Sequence, residues 1–352
     1  MAQEMAQERK RLGFFTRVLD SAAPRERYRL ALAQIRKAEE VGFDTAWVAQ
    51  HHFHEQEGGL PSPFVLLSHA AAQTSTIVLG TGIVTLPLEA PLRVAEDAAV
   101  LSTLSDGRFE LGIGSGGTPS SFPPFGHDPK DRPEIFARHR EQLVSALRGD
   151  ILTSDAGALY PPAPQLVDTL WDATFSTGGA ARIGSAGSGL MLSKTQAHTS
   201  GTGFSALADT QRELVDAYTA ALPAGIRPRV FGSRNLVVVD DQETADRLAQ
   251  RGIERALPTA RSLGLDIPVD ATQDELRALF DLHVGTPEQV IAELRSDHLL
   301  LSATDLVFQS HPIDPPHELL IRSLELIATE VAPALGWTPA AAKAATKEQT
   351  YA

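Results

Sequence analysis

The 352-residue sequence contains no cysteine. Disulfide scaffolds, thiolate metal sites and cysteine nucleophiles are therefore excluded, and a reducing compartment is favoured. Basic charge is also scarce, with 31 Lys and Arg against 44 Asp and Glu and a formal net charge of −13. Because nucleic-acid-binding surfaces are normally basic, this balance argues against a nucleic-acid partner.

Long apolar runs are missing as well. No stretch approaches the roughly 18 to 20 consecutive apolar residues that span a bilayer. The polar start at residues 1–11, MAQEMAQERKR, lacks the apolar core of a signal peptide. Apolar residues make up 43% and charged residues 21%, which is typical of globular proteins. We therefore expect a cytoplasmic globular protein with no membrane partner.

Eight short β-branched or apolar runs alternate with longer amphipathic stretches, a pattern typical of parallel strands joined by helices. It predicts a single TIM (β/α)8 barrel over residues 11–337, with flexible tails at 1–10 and 338–352. The predicted strands are residues 12–16, 45–49, 77–84, 109–113, 171–175, 190–193, 230–239 and 305–309. The predicted helices are residues 25–41, 91–104, 133–147, 210–222, 242–251, 287–294 and 317–335.

Three segments interrupt this alternation. Residues 118–133 are rich in Pro, Gly and Ser, and residues 152–165 carry three prolines, so both are predicted to be long βα loops on the surface. Residues 251–282 are predicted to form a helical insertion before the last strand. Since the βα loops of a barrel surround its active site, we expect the long loops to serve a site.

A histidine cluster follows the second predicted strand. His51 is a candidate acid/base group, because an imidazole with an ordinary pKa of about 6.5 exchanges a proton near neutrality. His52 and His54 could instead bind the metal of a barrel hydrolase, or all three could belong to a hydrogen-bonded loop. Asp305 lies at the start of the last strand and not at its end, so the ligand set is incomplete and we predict no metal site.

A glycine-rich run follows the fourth predicted strand. Residues 112–117 formally match the G-x-G-x-x-G dinucleotide motif, but they lead into Thr118-Pro119 and a loop, where that motif opens into a helix. We interpret these glycines as allowing close approach of the backbone to a flat ligand. A tight turn that needs positive φ is the alternative.

Residues 174–182, TFSTGGAAR, combine hydroxyls and glycines with the start of a helical run. Hydroxyl groups and the free N–H groups of a helix N-terminus, Gly178 among them, predict a phosphate site here. Ordinary capping of the helix by Ser176 or Thr177 is the alternative. Lys194, after the sixth strand, is a weaker candidate for binding a phosphate or forming a Schiff base, since most lysines are solvated.

Four segments together resemble the bacterial luciferase-like flavin monooxygenases in their order and spacing. They are residues 43–53, 80–87, 91–97 and 104–114. The resemblance is dense from residue 12 to residue 140 and looser beyond residue 171. Residues 171–195 and 303–337 resemble a subgroup of FMN-dependent luciferase-like monooxygenases.

The resemblance implies a TIM barrel that binds reduced FMN at the C-terminal ends of its strands. The family reacts the flavin with O₂ and uses a peroxyflavin to oxygenate a small organic substrate. By similarity, His51 takes part in acid/base steps, and Gly82 and Ile83 pack against the isoalloxazine, where the family often has a non-proline cis peptide. Thr174, Ser176 and Thr177 fall on the phosphate loop. A separate NAD(P)H:flavin reductase and a homodimer are also implied.

This sequence departs from luciferase at three positions. Gly114 replaces a reactive cysteine, Ser115 replaces the phosphate-binding arginine, and Gln50 replaces a glutamate. We expect Gly114 and Ser115 still to contact the flavin, but light emission is not expected. The alternatives are a deazaflavin-dependent dehydrogenase on the same barrel, a metal-dependent hydrolase using His52 and His54, and a flavin-binding protein without catalysis. No motif identifies the substrate.

Overall fold

The computed structural model describes residues 9–194, 207–262 and 267–338. The strands are β1 (Arg11–Thr16), β2 (Thr45–Val48), β3 (Val78–Thr81), β4 (Val84–Thr85), β5 (Phe109–Glu110), β6 (Gly112–Gly114), β7 (Trp171–Ala173), β8 (Gly189–Leu192), β9 (Val230–Val238), β10 (Leu282–Gly285) and β11 (Asp305–Gln309). The helices are α1 (Pro24–Glu40), α2 (Pro63–Ala71), α3 (Pro91–Leu104), α4 (Arg132–Arg148), α5 (Gln165–Asp168), α6 (Thr177–Ser185), α7 (Leu207–Ala221), α8 (Gln242–Ser262), α9 (Gln273–Leu279), α10 (Pro287–Arg295), α11 (His298–Ser302), α12 (His317–Leu326) and α13 (Ala332–Ala334). A π-helical turn, Ile327–Val331, joins α12 to α13.

The named strands pair in parallel and form one curled sheet. β1 lies between β2 and β11. From β2 the order continues through β3 to β5, and from β11 it continues through β9, β8 and β7 to β6 and β4. β3 pairs with β5 while β4 pairs with β6, and β10 adds to β9. A parallel sheet curled in this way, with helices between its strands, is consistent with the predicted TIM-like barrel.

Hydrophobic patterning explains why these segments form their elements. β9 is buried along all nine of its residues, as expected for a central strand of a parallel sheet that is covered on both faces. Helix α1 has a proline in its first turn, buries Ala31, Leu32 and Ile35 at helical spacing, and is followed by Gly42 at φ 95°. The sequence predicted both elements within a residue or two.

An aromatic cluster fills the interior of the sheet. The rings of Trp47, Trp171 and Phe231 meet edge to face, with centroids 5.1 to 6.2 Å apart. Gly80 makes room for this cluster, because a Cβ there would lie 2.2 Å from the Trp47 ring. Met191 packs into the same cluster. The cluster therefore forms a tightly packed layer beneath the C-terminal ends of the strands.

The structure differs from the sequence prediction in several places. The predicted third strand, residues 77–84, is divided into β3 and β4, and the predicted fourth strand, residues 109–113, into β5 and β6. Helix α2 was not predicted, although Pro63 follows Ser62 at its start. The predicted helical insertion, residues 251–282, contains the end of α8 and all of α9, but its last residue begins β10. β10 has only four residues, one of them a histidine, and so short a segment shows no pattern that predicts a strand.

The predicted tails, residues 1–10 and 338–352, lie almost wholly outside the described residues. The predicted loop at residues 118–133 consists mostly of three short 3₁₀ turns and the start of α4, whereas residues 152–165 are largely irregular. Among the described residues, no helix combines the length and apolar character needed to cross a bilayer.

Candidate active site

A cavity of about 320 Å³ opens at the C-terminal edge of the sheet. Its walls come from residues that end or follow β1, β2, β4, β6, β7, β8 and β11, the position where barrel enzymes carry their active sites. The predicted site residues that line it are His51, Gly82, Ile83, Gly114, Ser115 and Thr174. No aspartate or glutamate is among its described lining residues.

The break between β3 and β4 shapes one wall of the cavity. The peptide bond between Gly82 and Ile83 is cis, as the family resemblance led us to expect. Gly82 has no room for a side chain, because a Cβ there would lie 2.5 Å from the Phe15 ring. A Cβ on Gly114 would lie 3.1 Å from Ile83 and 3.5 Å from the Cβ of Ala173. Small and apolar groups thus form a smooth face, which suits a planar ring.

His51 lies beside this face, directly after β2. Its Nε2 atom is 2.8 Å from Nη2 of Arg17. Since a guanidinium can only donate, Nε2 accepts and the proton of the neutral imidazole is assigned to Nδ1. Nδ1 is buried without a hydrogen-bond partner among the described residues, and a Cβ on Gly58 would lie 2.3 Å from it. The imidazole is therefore held between Arg17 and Gly58.

The surroundings of His51 oppose its protonation. Burial, followed by the positive charge of Arg17 and by His311 and His52, lowers the pKa of His51 to about 2. At neutral pH the ring is consequently uncharged. A group that is to take up a proton near neutrality must first have its pKa raised, which an anion bound beside Arg17 would do.

The other two histidines of the cluster have separate surroundings. Burial lowers the pKa of His52, and its ring lies 4.9 Å from the ring of Phe125. His54 Nε2 contacts the Ser120 hydroxyl at 2.8 Å. Within residues 9–194, 207–262 and 267–338, no group of three or more His, Asp or Glu side chains is placed to hold a metal ion. The hydrolase alternative therefore has no ligand set there.

The predicted phosphate loop lies at the edge of the cavity. Ser176, Thr177 and Gly178 are exposed at the start of α6 and do not line the cavity, whereas Thr174 does. The Ser176 hydroxyl accepts a hydrogen bond from the Gly179 N–H at 3.1 Å and caps the helix. Capping, the alternative weighed from the sequence, is thus observed. It uses the oxygen as an acceptor and leaves the hydroxyl proton available to an anion.

Two arginines that the sequence did not single out lie beside the segments that follow β7 and β6. Nη1 of Arg182 is 3.8 Å from the position of a Cβ on Gly178. Nη1 of Arg132 is 3.4 Å from the carbonyl oxygen of Gly116, in the run that follows β6. Arg182 is four residues beyond Gly178 on α6, and that spacing places it on the same side of the helix. Both arginines add positive charge beside the segments that carry Ser115 and Gly178.

Arg17 and Lys194 also line the cavity. Arg17 follows β1 and was not predicted, because nothing in its local sequence distinguishes it from a surface arginine. Lys194 donates a hydrogen bond to the carbonyl oxygen of His311. Burial lowers the pKa of Lys194 to about 7, and burial also lowers the pKa of Arg17.

Gln50, the residue that replaces a luciferase glutamate, has a structural contact on each side. Its Oε1 accepts from the Thr85 N–H at 2.7 Å, and its Nε2 donates to Oε1 of Glu89 at 2.7 Å. Gln50 therefore ties the end of β2 to the segment that follows β4. It positions the cavity wall that carries Gly82 and Ile83.

Comparison with known proteins places this architecture in a family. A cavity at the carboxyl ends of curled parallel strands is the arrangement of a TIM-barrel-like enzyme. Residues 12–301 match the family model described as luciferase-like monooxygenase. The chain therefore belongs to the luciferase-like monooxygenase family and is a flavin-dependent oxidoreductase.

Three similar proteins extend this comparison. The uncharacterised protein y4vJ of Sinorhizobium fredii is 28% identical over 329 residues, which is 87% of this chain and 91% of that protein. The oxygenating constituent of 3,6-diketocamphane monooxygenase from Pseudomonas putida, solved with FMN, has a TM-score of 0.70 at 21% identity, with 93% of this chain and 98% of that chain covered. The coenzyme F420-dependent tetrahydromethanopterin reductase of Methanopyrus kandleri has a TM-score of 0.65 at 19% identity, with 93% and 100% covered. At these identities, the two structures show the shared fold alone.

Proposed function

We propose that this protein is an FMN-dependent monooxygenase that oxygenates a small organic substrate with O₂, on a single (β/α)8 barrel of residues 11–337. Counting β3 with β4 and β5 with β6 as two interrupted strands, and β10 as an addition, supports the count of eight. The observation that carries the cofactor assignment is the smooth face at Gly82, Ile83 and Gly114 next to His51. A planar isoalloxazine fits such a face, whereas side chains at either glycine would obstruct it.

The residues of the chain have distinct tasks in this proposal. Ile83 and Gly114 would pack against the ring, while Ser115, Thr174 and the N-terminus of α6 from Ser176 to Gly178 would hold the phosphate. When bound, reduced FMN supplies the reaction with O₂, and the protein orients it and limits access of water. His51 would keep the Nδ1 proton of its neutral form and exchange a second proton at Nε2 with the reacting groups once its pKa has risen.

The partners in this proposal follow from the same chemistry. A separate NAD(P)H:flavin reductase would supply reduced FMN in the cytoplasm, which suits a chain without cysteine. A second copy of the chain is the proposed structural partner. Exposed large apolar side chains support it, with Val65 on α2 and Val100 and Leu104 one turn apart on the adjacent α3. Sedimentation of wild type and Leu104→Glu would test the dimer, which the variant is expected to weaken.

Equilibrium binding separates FMN from a deazaflavin. The purified protein would be titrated with FMN, riboflavin and coenzyme F420, following flavin fluorescence. We expect FMN to bind at least about tenfold more tightly than riboflavin, because a bound phosphate adds charge-assisted hydrogen bonds. Tighter binding of F420 than of FMN would contradict the proposal and favour a dehydrogenase. Absence of flavin binding would contradict both.

A further inference from the structure

The cavity has a local charge opposite to that of the whole protein. The chain has a formal net charge of −13, yet the charged side chains among the described lining residues are Arg17 and Lys194. A cation in a low-dielectric cavity without a carboxylate is costly unless an anion joins it. The charge of the cavity thus favours an anionic ligand.

Arg17 is only partly satisfied by the protein. One guanidinium nitrogen, Nη2, donates to His51, while Nε is buried without a hydrogen-bond partner among the described residues. The guanidinium of Arg17 also has no ion-pair partner among the described residues, since none of their carboxylates lies within 4.0 Å of it. Because buried polar groups are almost always satisfied, the free N–H points to a ligand of the cavity.

Lys194 approaches the same region from β8. Its ammonium donates to the carbonyl oxygen of His311, in the segment after β11. An ammonium has three donors, so a neutral carbonyl neither uses its full capacity nor compensates its charge. Asp281, the carboxylate that most raises the pKa of Lys194, is bound to the N–H of Asn235 at 2.9 Å.

The remaining nearby carboxylates are also engaged elsewhere. Asp314 Oδ2 pairs with Nδ1 of His311 at 2.8 Å and with Arg255 at 2.9 Å. Glu57 Oε2 accepts the hydroxyl of Thr118 at 2.5 Å. These acids act on Arg17 only at longer range. None of them pairs directly with Arg17, so a bound anion could still neutralise its charge.

Arg17 and Lys194 lie on different segments of the cavity wall from the proposed phosphate site. The phosphate residues follow β6 and β7 and begin α6, and hydroxyls, helix N–H groups, Arg132 and Arg182 are available there. Arg17 follows β1 and contacts His51 after β2, while Lys194 contacts the segment after β11. The cations thus face the part of the cavity next to the acid/base histidine, where a substrate would lie.

We propose that Arg17 and Lys194 bind the carboxylate of an anionic organic substrate and hold it beside His51. This inference rests on the proposed function, because it places the acid next to the flavin. A guanidinium offers a fork of donors that matches a carboxylate, and the ammonium adds a second charge. The same bound anion would offset the repulsion that opposes protonation of His51, which links substrate binding to the acid/base step.

The test compares carboxylates with neutral ligands of the same shape. FMN-loaded protein would be titrated with benzoate and benzyl alcohol, and with hexanoate and hexanol, following the absorbance and fluorescence of bound FMN. We expect each carboxylate to bind at least about tenfold more tightly than its alcohol. Arg17→Gln and Lys194→Gln should each remove that preference, Arg17→Lys should restore part of it, and the exposed control Arg29→Gln should keep it in full.

Two results would overturn the proposal. One is equal binding of carboxylates and alcohols by the wild-type protein. The other is a loss of FMN affinity of more than about tenfold in Arg17→Gln and Lys194→Gln with the carboxylate preference intact, because the cations would then serve the cofactor. If FMN does not bind, calorimetric titration of the flavin-free protein with benzoate measures carboxylate binding on its own. Failure of the FMN assignment is thereby distinguishable from failure of the carboxylate site.

Discussion

Ser176 is the residue at which helix stability and phosphate binding can be separated. It precedes α6 in an extended conformation, and its hydroxyl accepts from the Gly179 N–H at 3.1 Å. Ser176→Ala removes this cap and the hydroxyl donor together. Ser176→Asp keeps an acceptor for the Gly179 N–H but places a negative charge where the FMN phosphate would lie. Ser176→Asp should therefore be the more stable of the two variants and the weaker binder of FMN.

The expected magnitudes follow from the geometry. Loss of an N-cap hydroxyl costs about 1 kcal/mol, so the free energy of unfolding should be lower by that amount in Ser176→Ala. In Ser176→Asp it should stay within about 0.5 kcal/mol of the wild-type value. Loss of one hydrogen bond to a charged group should weaken FMN binding by roughly tenfold in Ser176→Ala. In Ser176→Asp, repulsion of a dianion at about 4 Å costs about 2 kcal/mol even in water, or roughly thirtyfold in affinity.

The assays are urea unfolding for stability and fluorescence titration with FMN and riboflavin for affinity. Riboflavin is the matched control ligand because it lacks the phosphate, so neither variant should change its affinity. Ser185→Ala, at the other end of α6, is the matched control variant. Wild-type FMN affinity in Ser176→Asp, or equal losses for FMN and riboflavin, would refute the phosphate assignment.

Three further changes have defined expected outcomes. Gly114→Val should weaken FMN and riboflavin binding alike by more than about tenfold, because a side chain would enter the smooth face, and unchanged titrations would contradict this. Arg182→Gln should weaken FMN binding by about threefold without affecting riboflavin, as expected for an exposed charge. Burial opposes the charge of His283, but Asp281 and Glu293 outweigh it and raise its pKa to about 9. That stabilisation is full below about pH 6.5 and disappears as pH rises through 9. The unfolding free energy in urea should fall by up to about 3 kcal/mol by about pH 10, a loss that His283→Gln should not show.

Local pattern predicted most of the architecture. The fourth to sixth predicted strands, for example, lie within three residues of their predicted bounds, since short buried apolar runs between turns are determined by nearby sequence. The same pattern did not show that the third strand is broken between Thr81 and Val84, or the fourth between Glu110 and Gly112. At the break in the third strand, Gly82 packs against Phe15, which is a contact between distant segments of the chain.

The site was predicted unevenly for the same reason. His51, Gly82 and Thr174 follow or interrupt strands, and the barrel rule alone brings them to one edge. The acid/base role of His51 was inferred from an ordinary pKa, but burial and Arg17 lower that pKa to about 2. Arg17 carries no motif, and its importance depends on the absence of a carboxylate near it among the described residues. Such an absence is a property of the folded structure and not of a local pattern.

The reaction of the reduced complex with oxygen tests the monooxygenase assignment most directly. Protein loaded with reduced FMN would be mixed rapidly with oxygenated buffer, and the return of oxidised-flavin absorbance would be compared with that of free reduced FMN. We predict a time course that differs from free flavin by at least about tenfold and that changes in His51→Gln. Return of absorbance at the free-flavin rate in both proteins would contradict the assignment.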